Sequence, residues 1–369
     1  MSINYLALAN AGVEKLHPYQ PGKPVAELER ELGISNSIKL ASNENPLGLG
    51  PKARAAIERA LPDLARYPDA NGFALKSALA AKLAVNTEQL ILGNGSNELI
   101  DLVYHTFVSA GQQVVYSQYT FIVYALATQG HGAEAIVVPA KDLSHDLDAM
   151  AAAITERTKL VCITNPNNPT GTFLTKAELS AFLAKVPSQV LVILDEAYTE
   201  YVAQDERHPS IDWLAQYPNL IVSRTFSKAY GLAGLRVGYM VAHPELISVL
   251  NRVREPFNCN SLALAAAEAA LDDEVYLREA VGLNQREMAR YEAFFESQGI
   301  SYVKSRANFI TLDLKRDAQP VYEALLREGV IVRPIAGYGL PTCLRISIGL
   351  EQENQRCMEA LAKVLGQGL

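Results

Sequence analysis

Lys228 follows the short apolar run Leu220-Ile-Val222 within Ser223-Arg-Thr-Phe-Ser-Lys-Ala-Tyr-Gly-Leu-Ala-Gly-Leu-Arg-Val-Gly238. A lysine held in a tight, apolar, glycine-rich turn loses the solvation of its ammonium form. The neutral amine is a nucleophile able to form a Schiff base. Two hydroxyls precede it, at Thr225 and Ser227, and the Arg236 guanidinium follows. These three groups suit a phosphate. An amine beside a phosphate clamp points to pyridoxal 5′-phosphate (PLP) as cofactor.

Other segments carry chemistry-bearing residues just after apolar runs. Gly93-Asn-Gly-Ser96-Asn97-Glu98 opens a helix whose first amides and positive dipole end suit a phosphate. Its glycine pattern breaks at Glu98, so it is not a dinucleotide fingerprint, and a capped helix start is an equal reading. Asn165-Pro-Asn-Asn168-Pro-Thr-Gly171 is a rigid turn with two X-Pro bonds, in which Asn168 can donate to a ligand oxygen. Asp195 ends the apolar run Val190-Leu-Val-Ile-Leu194. It reads either as a helix cap with Glu196 or as the partner of a protonated pyridine nitrogen, which keeps that ring an electron sink. Tyr198 is placed to reach the ring's phenolic oxygen.

The elements that must hold these residues are seven short apolar runs alternating with helical patterns. They are Gln89–Leu92, Gln113–Tyr116, Ala135–Val138, Lys159–Ile163, Val190–Leu194, Asn219–Val222 and Val237–Val241. Runs without polar alternation are strands covered on both faces. The fold class is therefore α/β: a seven-stranded, mainly parallel sheet with helices on both faces, plus a smaller C-terminal αβ domain. The boundaries read as an N-terminal arm over 1–47 joined to the small domain, a large cofactor-binding domain over 48–257, and a small domain over 258–369. In such sheets ligands sit beyond the carboxyl ends of the strands, where Ser96, Asn168, Asp195 and Lys228 all fall.

The chain has 369 residues, 49% hydrophobic and 20% charged, enough for two cores. A net charge of −7 with no basic block argues against nucleic acid or anionic membrane as partner. The four cysteines are far apart in sequence, as expected of reduced thiols in a cytoplasmic protein, and the six histidines form no metal-ligand cluster. No run reaches transmembrane length, and the N-terminal residues lack a signal-peptide pattern.

The order Gly-rich helix start, Asn-Pro-Thr-Gly, Asp-x-x-Tyr, Thr-Phe-Ser-Lys, Gly-Leu-Arg resembles the fold-type I PLP-dependent aminotransferases. Thr225–Gly234 is similar to their class II lysine signature. Leu40-Ala-Ser-Asn-Glu-Asn-Pro-Leu-Gly48, Arg66-Tyr-Pro-Asp69 and Val330-Ile-Val-Arg-Pro334 are similar to the histidinol-phosphate aminotransferase branch. The resemblance implies that Lys228 binds the cofactor and moves the α-proton, with Asp195 on the pyridine nitrogen and Asn168 and Tyr198 on the phenolic oxygen. It also implies that Ser96, Asn97, Thr225, Ser227 and Arg236 hold the phosphate, helped by Tyr67 from the second subunit of a homodimer. Tyr119 is expected to stack on the ring. That family's stacking tyrosine follows Pro-Thr, whereas this chain reads Tyr116-Ser-Gln-Tyr-Thr-Phe121. Arg345 is expected on the substrate α-carboxylate with Asn45 nearby, and Arg333 and Tyr19 on a distal phosphate. The implied reaction is transamination of histidinol phosphate with 2-oxoglutarate. An aromatic amino acid aminotransferase and a threonine-phosphate decarboxylase share most of these motifs. A non-catalytic PLP protein would not need Lys228, and a nucleotide-binding α/β protein would use neither Asp195 nor Lys228.

Overall fold

A computed structural model describes residues 3–10, 12–14, 16 and 22–366. Each of the seven apolar runs is a strand: β1 Leu90–Gly93, β2 Gln113–Ser117, β3 Glu134–Val138, β4 Thr158–Thr164, β5 Leu191–Asp195, β6 Leu220–Thr225 and β7 Gly238–Val241. They form one sheet in the order β1-β7-β6-β5-β4-β2-β3. Only β7 runs against its neighbours, pairing antiparallel with both β1 and β6. The carboxyl ends of the other strands therefore share one edge. Central strands such as β5 and β6 are buried on both faces, as their lack of polar alternation requires. Two apolar layers result, one containing Val192 and Val222, the other Ile193 and Ile221.

A second, four-stranded antiparallel sheet contains Ser301–Val303, Phe309–Asp313, Arg333–Pro334 and Cys343–Ser347. Its core includes Ile310, Leu344 and Ile346, covered by the helices Gln319–Arg327 and Glu351–Gly366. The N-terminal segment reaches this unit through Ile38–Lys39, which pairs in parallel with Val330–Ile331.

The helix Ser261–Leu271 lies beyond the 257/258 boundary read from sequence, yet it packs on Pro51–Ala60. Its Ala263, Ala266, Ala267 and Ala270 join the core of the large sheet. A face of alanines lets two helices approach closely, a signal that composition alone does not assign to either unit. The following helix, Glu274–Gln298, spans both units: Leu277 packs against the large core, while Met288, Tyr291 and Phe295 belong to the small one. All four cysteines are unpaired and buried. Among the described residues no helix is long and apolar enough to cross a membrane, and no cluster of His, Cys, Asp and Glu is arranged to hold a metal.

Candidate active site

The carboxyl edge of the large sheet meets the small unit at an open-mouthed cleft lined by residues of both. β6 leads into the turn carrying Lys228. Its Nζ donates to the Ser42 carbonyl at 3.3 Å and lies 5.8 Å from the centre of the Tyr198 ring. Burial, helped by the Arg345 and Arg236 cations, lowers this amine to about 8.

β5 ends at Asp195, 2% exposed, whose Oδ2 accepts from the Tyr124 hydroxyl at 3.2 Å and whose Oδ1 accepts from the Ala197 N–H at 3.2 Å. Burial raises its carboxyl to about 6, against the opposing pull of the Tyr124 bond. The next residue behaves differently. Glu196 is absent from the cleft lining and accepts from Nε and Nη2 of Arg224 at 2.9 and 2.8 Å and from Ser210 at 2.9 Å. Of two adjacent buried carboxylates, one is already matched by a cation and the other has no ion-pair partner among the described residues. A carboxylate buried in that way favours a cationic ligand group.

β1 ends at Gly93, and the helix Ser96–Phe107 starts at the cleft. Gly95, at φ +83°, leaves room that a Cβ would deny to the Arg236 guanidinium; a Cβ at Gly238 would fall 2.7 Å from the Ser96 nitrogen. Arg236 itself adopts a left-handed φ of +57° and donates to Ser227 Oγ at 3.3 Å. Helix amides, two hydroxyls and one guanidinium thus converge on a space kept open by glycines, the donor set of a phosphate cradle. After β4, Asn165–Pro166 and Asn168–Pro169 are both cis, and Asn168 Oδ1 accepts from Arg345 Nη1 at 2.5 Å.

From the small unit come Arg345, 7% exposed on the strand Cys343–Ser347, and Arg333 directly opposite it on the neighbouring strand. Arg345 Nη2 also donates to the Ala41 carbonyl at 2.9 Å, and its guanidinium lies over Phe309. Like charges opposed across a strand pair disfavour the sheet. Their shared anion-binding capacity faces the cleft.

Ser96, Asn97, Asn168, Asp195, Tyr198, Thr225, Ser227, Lys228, Arg236, Arg333 and Arg345 all line this one cleft. Two expected residues, Tyr119 and Asn45, are not brought to it; Tyr19 lies outside the described residues, and Tyr67 is expected at a neighbour's cleft instead of its own. Tyr119 packs against Ile335, Leu340 and Cys343, whereas Phe121, at the N-terminal cap of the helix Ile122–Gly130, lines the cleft. Thr120 directly before Phe121 matches the threonine that precedes the family's stacking tyrosine, a signal the sequence held. Asn45 is used structurally: its Nδ2 donates to the Ala229 carbonyl at 2.9 Å and its Oδ1 accepts from the Leu47 N–H at 3.0 Å. Asn43, two residues earlier, lines the cleft instead. Tyr67 is 82% exposed and stacks on Phe257 with ring centres 4.7 Å apart. Sequence reading also missed Tyr124 and Tyr338. Nothing among seventeen tyrosines marks Tyr124 until the fold sets it against Asp195.

These residues fit PLP. The unmatched Asp195 carboxylate suits a protonated ring nitrogen, the cradle suits a phosphate, Lys228 suits an aldehyde, and Phe121 offers a ring face. The family model for aminotransferase class I and II matches residues 35–361. The chain is 58% identical over 363 residues to histidinol-phosphate aminotransferase 1 of Mannheimia succiniciproducens, covering 98% of this chain and 99% of that one. It is also 58% identical over 364 residues to histidinol-phosphate aminotransferase 2 of Pseudomonas aeruginosa, with 98% and 99% covered. The crystal structure of histidinol-phosphate aminotransferase from Sinorhizobium meliloti in complex with pyridoxal-5′-phosphate superposes with a TM-score of 0.90 at 31% identity, covering 97% of this chain and 98% of that one.

Proposed function

The chain belongs to the class I and II aminotransferases, and from that premise we propose that it transfers the amino group of histidinol phosphate to 2-oxoglutarate in histidine biosynthesis, with PLP as cofactor. The observation that carries the reading is the meeting of Lys228 and Asp195 with the facing pair Arg333 and Arg345 in one cleft. When bound, PLP supplies an aldehyde that combines with amines and a ring that withdraws electrons from the substrate α-carbon.

The protein's residues supply the rest. Asp195, held in place by Tyr124, would keep a positive charge on the ring nitrogen, and Asn168 and Tyr198 would donate to the phenolic oxygen. Ser96, Asn97, Thr225, Ser227 and Arg236 would hold the phosphate, and Phe121 would pack on the ring. The Lys228 amine, lowered to about 8, exists in part as the free base near neutral pH. With substrate bound, its Nζ would take the proton from the α-carbon as general base and give one back as general acid.

Histidinol phosphate has a phosphate and no α-carboxylate, whereas 2-oxoglutarate has two carboxylates. Arg333 and Arg345 therefore serve different anions in the two half-reactions, with the guanidinium fork suited to either. Tyr67 and Phe257 form an exposed aromatic pair, and Phe73 is 73% exposed. These surfaces support a homodimer in which Tyr67 reaches the neighbour's phosphate site. A cytoplasmic setting belongs to the same reading.

Competing turnover tests the substrate. With 2-oxoglutarate as acceptor, kcat/KM for histidinol phosphate is expected to exceed that for phenylalanine by at least about tenfold, a difference of about 1.4 kcal/mol. A preference for phenylalanine, or carbon dioxide release from phosphothreonine, would overturn the assignment while leaving the cofactor chemistry intact.

A further inference from the structure

We infer that Asn43 is a positioning residue that turns the Tyr198 hydroxyl proton into the cleft, placing the donor opposite the cofactor's phenolic oxygen under the control of Ser347 on the Arg345 strand; this rests on the function proposed above. Asn43 is 1% exposed and holds a left-handed φ of +55°. Its backbone N–H donates to Ser347 Oγ at 2.7 Å, and Ser347 Oγ donates back to Asn43 Oδ1 at 2.8 Å. Asn43 Nδ2 then donates to the Tyr198 hydroxyl at 3.1 Å.

The direction of every proton in this relay follows from donor counting. A backbone N–H can only donate, so Ser347 Oγ accepts there. A serine hydroxyl has one hydrogen, and Oδ1 of the same asparagine is its acceptor among the described residues; the reversed amide would leave that hydrogen with none. The amide is thereby oriented with its NH₂ toward Tyr198. Having accepted from Nδ2, the Tyr198 oxygen keeps its own hydrogen for a partner on the cleft side. With the amide reversed, Tyr198 would donate to Oδ1, and the cleft would face a lone pair instead of a proton. Asn308 Nδ2 closes the arrangement from the small unit by donating to the Asn43 carbonyl at 3.0 Å.

Ser347 and Arg345 are two residues apart on one strand and so share a face. The strand that offers a guanidinium to the substrate also fixes the polarity of a donor to the cofactor. Within the relay only Tyr198 touches the cofactor in the proposed reading, and the sequence motif that contains Asn43 pointed to Asn45 instead.

The test reads the pH at which the visible absorption of the PLP holoenzyme titrates, because a donor to the phenolic oxygen favours its ionised form and lowers that midpoint. Asn43→Gly removes the side chain and tolerates the left-handed backbone. It is expected to raise the midpoint by about half a pH unit or more, the scale of weakening one charge-assisted hydrogen bond. Tyr198→Phe is expected to raise it further, and Asn43→Gly added to Tyr198→Phe to shift it no more. Ser347→Ala, which frees the amide to turn, is expected to move it in the same direction by less. Arg345, Asp195, Tyr338 and Lys228 are the charged and titratable groups around Tyr198, and all are retained in these variants. An unchanged midpoint in Asn43→Gly overturns the inference, as does an equal rise from Asn43→Gly whether or not Tyr198→Phe is also present. A holoprotein with no titrating band, or one insensitive to Tyr198→Phe alone, overturns the reading of the site beneath it.

Discussion

The large sheet and the small unit deliver their residues to the cleft in different ways. Asp195, Asn168 and Lys228 stand at or just beyond the ends of parallel strands, so ladder hydrogen bonds along β4, β5 and β6 determine where each one lies. Arg345, Arg333 and Asn43 come from an antiparallel sheet and an N-terminal segment attached by a two-residue strand pair. Side-chain bonds such as Arg345 to Asn168 and Asn43 to Tyr198 hold that second group against the first. In the proposed function the ladder-fixed residues hold the cofactor that stays through a catalytic cycle, and the two arginines of the side-chain-latched group hold the substrates that come and go.

The sharpest test of that division is Lys228→Ala. In the proposed function it removes both the amine that bonds the cofactor and the proton carrier. Turnover is expected to fall by on the order of 10²–10⁴-fold from the lost proton transfer alone, with borohydride no longer fixing cofactor to the chain. Borohydride labelling that persisted in the variant would break the assignment of Lys228. Arg345→Lys probes the other side. Losing a bidentate fork is expected to raise KM for 2-oxoglutarate by roughly tenfold, with PLP affinity of the protein unchanged within about twofold. A large loss of PLP affinity would show that the two units do not divide the work. The smallest effect is on rate: the apoprotein is expected to capture PLP faster as pH rises through about 8 and then level off. The attacking species is the unprotonated amine, and burial has already lowered its proton affinity, whereas an ordinary lysine near 10.5 would still be accelerating at about pH 10. Stopped-flow absorbance between about pH 6 and 10 decides between the two profiles.

Legibility in the sequence followed the same division. The seven strands of the large sheet were readable because burial on both faces removes polar alternation, and the end of each run then located Asp195 and Lys228 without further help. That Thr225, Ser227 and Arg236 line the same cleft followed from their closeness in sequence to the lysine. Asn43 was not readable, since its importance lies in a contact with Ser347 across the whole chain. Asn45 in the same string looked equally suitable until its amide was seen to serve the Ala229 carbonyl. Tyr119 and Phe121 lie in the turn between β2 and the helix Ile122–Gly130, where no strand or helix periodicity says which ring enters the cleft. The helix Ser261–Leu271 escaped the domain reading because an alanine face fits either core.

The buried, unpaired cysteines have a consequence for handling the protein. Burial pushes the Cys259 and Cys357 thiols up to about 12, and Cys162 higher still, so none of these three presents a thiolate in the native fold. Electrophiles and peroxides attack thiolates, so native material resists them, and labelling of these sulfurs becomes a clock for opening of the two cores.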